Sequence, residues 1–229
     1  MNVFQTFKHR AEEEEQMDRP DSDAARLCRT LDQFHQINVL FSRVRGLLKR
    51  TLLQDMRPGE AYHLLDLGAG ACDIPVWLLQ QAEKKGVQLR ITALDADPRV
   101  VEYAQQRYGQ TERLSIVLGD ALDLNAYSPF EYVFANHFLH HLPSEQAENV
   151  ITLAGRLASR GFVFSDLRRS PWSYLGFSMF AHVYRNSFSR KDGLLSIRKG
   201  FRKEDLRVEP QVKVRYSLPG RIQWIHLTS

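Results

Sequence analysis

The hydrophobic pattern of this chain changes period twice along its length. From Ser22, the apolar residues Leu27, Leu31, Phe34, Phe41, Val44, Leu48 and Leu52 recur at three- or four-residue steps, with one seven-residue gap. That spacing is helical. It predicts one long helix, or two joined near Asn38, ending before the turn signal Pro58-Gly59. From residue 62 short apolar runs take over, and 62–67, 88–95, 114–120, 131–138 and 162–167 read as strands. Amphipathic stretches separate them, at 73–85, from the N-cap Asp97 and Pro98 to Gly109, and at 144–160. Strands alternating with helices imply a parallel sheet covered on both faces. The tail differs again. An aromatic-rich helix at about 171–188 precedes a loop and a short helix at 203–207. The runs 211–218 and 221–228 flank Pro219-Gly220 and read as a hairpin, so the last strands pair antiparallel. Residues 1–21 show no period and are expected to be loosely ordered, with an acidic run from Glu12 to Glu15. The organisation expected is a helical extension or lid over 1–57 and an α/β domain over 58–229, with a cap at 171–207.

Composition narrows the class only a little. Hydrophobic residues make up 43% of the 229 and charged residues 25%, which is ordinary for a soluble fold. No uninterrupted apolar window is long enough to span a bilayer, and the N-terminus lacks the apolar core of a signal peptide. Cys28 and Cys72 lie in segments that look unrelated, so no disulfide is expected and a reducing cytoplasm fits. The net charge of +4 is concentrated in 185–207, "RNSFSRKDGLLSIRKGFRKEDLR". That stretch reads as a solvated basic face, or as a contact for nucleic acid or an anionic substrate.

The chemistry begins at "LLDLGAGACDIP", residues 64–75. Gly68 and Gly70 permit positive φ and leave no Cβ between backbone and ligand. The loop leaves the first strand of the alternating region, where ligands of open α/β sheets bind. A dinucleotide fingerprint would have a third glycine at 73, but Asp73 stands there. A carboxylate at a helix N-terminus competes with pyrophosphate for the same amides. The loop therefore suits a ligand without a pyrophosphate. Asp95, at the end of the second strand, is placed to accept from both hydroxyls of a ribose. Asp120, at the end of the third, is placed to accept from an adenine amino group. Asp66 would orient the loop or accept from a ligand ammonium. Each acid alone could simply cap a turn; in order on successive strand ends they describe a nucleoside site.

"LLDLGAGACDIP", "ITALDADPRVVEYA", "LSIVLGDALDL" and "EYVFANHFLHHL" resemble the successive motifs of class I S-adenosylmethionine-dependent methyltransferases over about residues 62–167. Within that class the chain is similar to the ubiquinone/menaquinone-type small-molecule enzymes, whose first motif also ends in Gly-Asp. Ala71-Cys72 departs from the more usual Thr-Gly or Gly-Gly. The resemblance implies a doubly wound seven-stranded sheet ordered 3-2-1-4-5-7-6, with the last strand antiparallel. It implies S-adenosylmethionine as cofactor and S-adenosylhomocysteine as product. The expected cofactor contacts are Asp66, Gly68, Ala69, Gly70 and Cys72 in the first motif. Asp95, Ala96, Asp120 and Ala121 follow at the second and third. Asn136 and His137 at the fourth would meet the methionine part.

Methyl transfer from a sulfonium is an in-line displacement, which the enzyme serves mainly by alignment. A hydroxyl acceptor also gains from losing its proton to a base of near-neutral pKa. His140 and His141 are the candidates, with loop stabilisation or cofactor packing as the alternative. Three histidines also raise a metal, but no carboxylate or cysteine sits beside them at ligand spacing, and none is expected. Arg168 and Arg169 would bind an anionic or phenolic group, or form a salt-bridged network. Trp172, Tyr174 and Tyr184, in the cap, would line the acceptor site, or be ordinary helix core. "SDLRRSPW" and "KDGLLSIRKGF" look like a bacterial subgroup associated with polyketide or phenolic products, a setting in secondary metabolism.

The expected activity is therefore small-molecule methylation, on oxygen of an aromatic, polyketide or quinone-like acceptor, by a monomer or homodimer. A nucleic-acid methyltransferase using 185–207 is the rival. Its common Asn/Asp-Pro-Pro-aromatic signature is replaced here by Asn-His-Phe-Leu, and neither cysteine follows a proline. An NAD-binding protein is opposed by the missing third glycine. A catalytically silent cofactor-binding protein is opposed by the intact acids.

Overall fold

The computed structural model describes residues 6–37, 43–124, 127, 129–184 and 186–228. The expected helix junction at Asn38, and Phe41, lie outside the described residues. Around that point stand helix α1 (Ala24–Ile37) and the short helices α2 (Val44–Arg50) and α3 (Leu52–Asp55). Then β1 (Ala61–Leu67), α4 (Asp73–Lys84), β2 (Gln88–Asp95), α5 (Pro98–Tyr108) and β3 (Leu114–Leu118) alternate as expected. β4 (Phe130–Asn136), α6 (Ser144–Leu157) and β5 (Ala158–Leu167) complete the parallel part. Helices α7 (Pro171–Phe180) and α8 (Ser189–Lys199) precede the hairpin of β6 (Lys213–Ser217) and β7 (Arg221–Leu227).

The sheet runs β3-β2-β1-β4-β5-β7-β6, with β7 antiparallel to β5 and β6 antiparallel to β7. The strand period of two divides each central strand between two cores. Leu64, Ile91, Phe134 and Val163 face one core with α2–α4. Leu65, Leu67, Val133, Phe162 and Trp224 face the other, with α6. Val44, Leu47, Leu48 and Leu52 belong to the first core, so α2 and α3 pack directly on the sheet.

Three expectations are corrected. Residues 6–21 are not loose: Phe7, Glu15 and Met17 are buried. The segment is strapped down by Arg10, which donates to the carbonyls of Lys199, His140 and Leu142. Asp192 accepts from the backbone N–H of Gln16 and Met17. Second, the stretch expected as a basic loop is helical, and α8 buries Ser189, Asp192, Ser196 and Lys199, spaced on one helical face. Phe201 and Leu206, further along, are core residues. Third, β4 ends at Asn136 because His137 takes φ 56°, which a strand does not allow.

Gly161 lies within β5 at φ 128°. A Cβ there would lie 2.0 Å from the carbonyl oxygen of His226 on β7. Gly161→Ala should therefore cost ~2–5 kcal/mol from strain and forced separation of β5 and β7. Thermal melting should show a drop on the order of 4–20 °C, and an unchanged midpoint would contradict this account of the pairing.

Candidate functional site

β1 pairs with β2 on one side and β4 on the other, so strand order reverses at β1. The loop after β1 turns there through Gly68 at φ 65°, Gly70 at φ 54° and Cys72 at φ 58°. The two glycines serve different ends. A Cβ on Gly68 would come within 2.6 Å of the Phe138 ring, whereas one on Gly70 would meet nothing within 4 Å. Gly70 thus leaves open space on the side of a large cavity, of about 980 Å³, which the loop lines. Its N–H donates to Asp95 Oδ2 at 2.9 Å, and the N–H of Asp97 donates to Oδ1 at 3.1 Å. Cys72 adopts the left-handed backbone, but its side chain is fully buried in the first core and does not line the cavity. Of the expected cofactor contacts of the first motif, Cys72 is thus the one that the structure does not bring to the cavity lining. Burial and then Asp66 push its thiol well up, so it is unreactive.

The electrostatics of this wall are one-sided. Burial raises the Asp66 carboxyl well above the usual range, and Asp73 and Asp95 push it further the same way. Burial also raises Asp95, against the two N–H groups that favour its charge. Asp120 is exposed at the end of its turn, where its Oδ1 accepts from the N–H of Leu122. Ala69, Ala96, Ala121, Asn136 and His137 line the cavity with these acids.

The opposite strand ends hold a paired network. His140 is buried, its Nδ1 lies 2.7 Å from Asp166 Oδ1, and its backbone N–H donates to Oδ2. Burial would raise Asp166, but His140 and Arg221 hold it far below the carboxylate range. Arg221, the first residue of β7, is almost fully buried. It donates to Asn136 Oδ1 at 2.8 Å, to the Ser165 carbonyl at 2.9 Å and to His137 Nε2 at 2.5 Å. Burial lowers this guanidinium to about 10, with Asp166 opposing. Burial and Arg221 press His137 well down, so its ring stays neutral. Arg221 was not foreseen; its one signal is a cation opening a strand straight after a Pro-Gly turn.

The strap adds two residues that sequence reasoning did not reach. Glu15 Oε1 lies 3.7 Å from His140 Nε2 and 3.4 Å from Lys199 Nζ. Asp18 Oδ2 lies 2.8 Å from His141 Nδ1. Burial alone would lower His141, but Glu15 and Asp18 raise it to about 9. The ligand spacing missing around the histidines in sequence is supplied in space by Glu15, whose carboxylate joins His140 and His141 in one cluster.

The residues expected to hold the acceptor divide. Trp172 lines the cavity with Phe177 and Phe180 of α7. Arg168, Arg169, Tyr174 and Tyr184 are not brought to its lining. Arg169 is buried and doubly paired with Asp205, the salt-bridged alternative. Arg168 is exposed, its guanidinium 4.0 Å over the Tyr216 ring. Tyr174 packs edge-on against Phe7, and Tyr184 stacks on Phe177 from behind the wall.

Residues 64–161 match a family model described as "Methyltransferase domain". That match covers less than half of the chain, and the seven-stranded order is the one that the resemblance to class I S-adenosylmethionine-dependent methyltransferases implies, with S-adenosylmethionine as cofactor. Solved structures share the fold. A SAM-dependent methyltransferase from Aquifex aeolicus aligns at TM-score 0.53 and 15% identity, over 89% of this chain and 97% of its own. An O-methyltransferase family protein from Burkholderia thailandensis aligns at TM-score 0.57 and 17% identity, over 91% of this chain and 62% of its own. The plantazolicin methyltransferase, crystallised with a triazolic desmethyl analogue and S-adenosylhomocysteine, aligns at TM-score 0.56 and 11% identity, over 93% and 88%. No curated protein matches the sequence. Among the described residues, no helix is long and apolar enough to cross a membrane.

The chain's residues fit this cofactor. Gly70 leaves its cradle open, and the buried acids suit a ligand that carries a sulfonium and an ammonium but no phosphate. Because the folded pKa of Asp66 exceeds its unfolded value of about 4, this group costs stability as pH rises above that value. Asp66→Asn should therefore melt higher than the wild-type protein at pH 7 without ligand. The two midpoints should converge near pH 4. A variant that melts lower at pH 7 would refute the assignment.

Proposed function

We propose that the protein is a small-molecule methyltransferase acting on oxygen of an apolar aromatic, polyketide or quinone-like acceptor. The observation that carries this reading is one large cavity. Its lining joins the acid-bearing glycine loop to the aromatic cap and the histidine pair. When bound, S-adenosylmethionine supplies a methyl already activated by a positive sulfur. The roles assigned to the chain follow from charge and position. Asp95 takes the ribose hydroxyls, Asp120 the adenine amino group, and Asp66 the ammonium. Asn136 and His137, both steered by Arg221, hold the methionine end.

On the acceptor side, Trp172, Phe177 and Phe180 present aromatic rings that favour a flat apolar acceptor. His141, with a pKa raised to about 9, keeps its proton at neutral pH and suits an anionic oxygen more than it suits deprotonation. The handling of the acceptor's proton falls to His140. Asp166 fixes its Nδ1, which leaves Nε2 for exchange, on the logic of a carboxylate-oriented imidazole. The nucleic-acid alternative draws less support, because 185–207 spends Lys199, Phe201 and Leu206 on the interior.

Two measurements test this. Asp95→Ala should lose the thermal shift that saturating S-adenosylhomocysteine gives the wild-type protein, ~2.7 kcal/mol at a hundred times Kd. A variant that still shifts as far refutes the ribose role. His140→Ala should cut kcat ~10²–10⁴-fold towards phenolic acceptors with little change in cofactor affinity. Undiminished turnover would remove His140 from the chemistry.

A further inference from the structure

We propose that Glu15, His140 and His141 form a binding site for a divalent first-row transition ion such as Zn²⁺. The donor atoms of the three residues all lie within 4.8 Å of one another. Two imidazoles and one carboxylate are the donor set such ions favour, and they leave open positions for an exogenous oxygen.

The surroundings of the histidines are what distinguish this cluster from a chance meeting. A metal-bound imidazole ordinarily has its other nitrogen held by a carboxylate, which fixes both tautomer and ring. Both rings here have that support. Asp166 holds Nδ1 of His140 at 2.7 Å, and Asp18 holds Nδ1 of His141 at 2.8 Å. In each case Nε2 is the nitrogen left for an ion, and that of His140 already points at Glu15 Oε1, 3.7 Å away. That oxygen is fully buried and has no hydrogen-bond partner among the described residues. The Lys199 ammonium lies 3.4 Å from it. The ammonium supplies the charge that a buried carboxylate requires, and a dication would compete with it for the same oxygen.

The site lines the same cavity as the glycine loop. Its use in catalysis rests on the proposed methyltransferase reading; ion binding itself does not. An acceptor hydroxyl at the open position would lose its proton to solvent more readily, since a bound cation lowers the pKa of an oxygen ligand. The resulting oxyanion would form the new O–C bond as the C–S bond breaks, with that electron pair returning to sulfur. His140 would then act as a ligand, and its loss would still abolish turnover.

The full chain, freed of metal by a chelator, should be titrated with Co²⁺ and Zn²⁺ by absorbance and calorimetry. One equivalent of Co²⁺ should develop visible d–d bands, which Zn²⁺ should abolish. Glu15→Gln should abolish them while keeping the thermal shift with S-adenosylhomocysteine. Asp18→Asn should weaken binding ~10–100-fold. Lys199→Gln should tighten it, because the competing ammonium is gone; a lysine with a purely structural role would not move the affinity in that direction. Wild-type protein that shows no saturable binding while still responding to S-adenosylhomocysteine would overturn the metal site and leave the methyltransferase reading standing. A Glu15→Gln protein that binds Co²⁺ as the wild type does would also overturn it. Co²⁺ bound without any response to S-adenosylhomocysteine would uphold the site and remove its link to methyl transfer.

Discussion

The architecture turns on how carboxylates are buried where the parallel strands end. Taking a charge out of water is expensive, and it is tolerated only when the group is paired or shifts its pKa. This chain uses both solutions at one edge of the same sheet. Asp166 is compensated inside the fold, by His140 and Arg221, and stays ionised. Asp66 and Asp95 are pushed towards the neutral form by burial, and their neighbourhood is acidic. The compensated end is rigid and costs little further to use. The uncompensated end holds free energy that a cationic ligand releases. The geometry of the glycine loop gives such a ligand access without a side chain in its way.

The same constraint explains the N-terminal strap. Glu15 and Asp18 are acids placed against His140 and His141, Lys199 reaches Glu15 from α8, and Arg10 of the strap donates back to the Lys199 carbonyl. Asp97 and Arg99 anchor it beyond β2, where the guanidinium donates to the carbonyl of Met17 and the hydroxyl of Ser22. The strap is thus bonded to the strand ends that build the glycine-loop wall and to the helix that follows the cap.

This also decides what was legible in the sequence. The β1 turn and the Asp95 strand end are local: period-two alternation, glycines and an N-cap lie within a dozen residues of each other. Sheet order followed from the motif resemblance, and the closing hairpin from Pro219-Gly220. The strap and α8 escaped because their logic is reciprocal. Ser189, Asp192, Ser196 and Lys199 recur at helical spacing, but the buried face they form is polar, and a search for apolar period passes over it. That face is worth burying only against Glu15 and the backbone of Gln16 and Met17, far away in the chain. Arg169 was ambiguous for the same reason, since its partner Asp205 is brought in by the turn after α8. Arg221 reads as a surface residue until β7 is known to lie beside β5, with its side chain among Ser165, Asn136 and His137.

Under the proposed reaction, the division of charge across the cavity has a kinetic meaning. A sulfonium and an oxyanion react to give two neutral products, so charge disappears along the reaction path. Water stabilises the separated ions more than the transition state, and the side chains that line the acceptor side, Trp172, Phe177 and Phe180, are apolar. The acids of the glycine loop keep the cation on one side, and the histidine cluster keeps the anion on the other. Neither side needs to reorganise as the methyl moves. Arg221 is fixed to both Asn136 and His137, so a single buried guanidinium from the last strand sets the wall where the two halves meet. The antiparallel hairpin that closes the sheet is therefore part of the site's alignment as well as the sheet's edge.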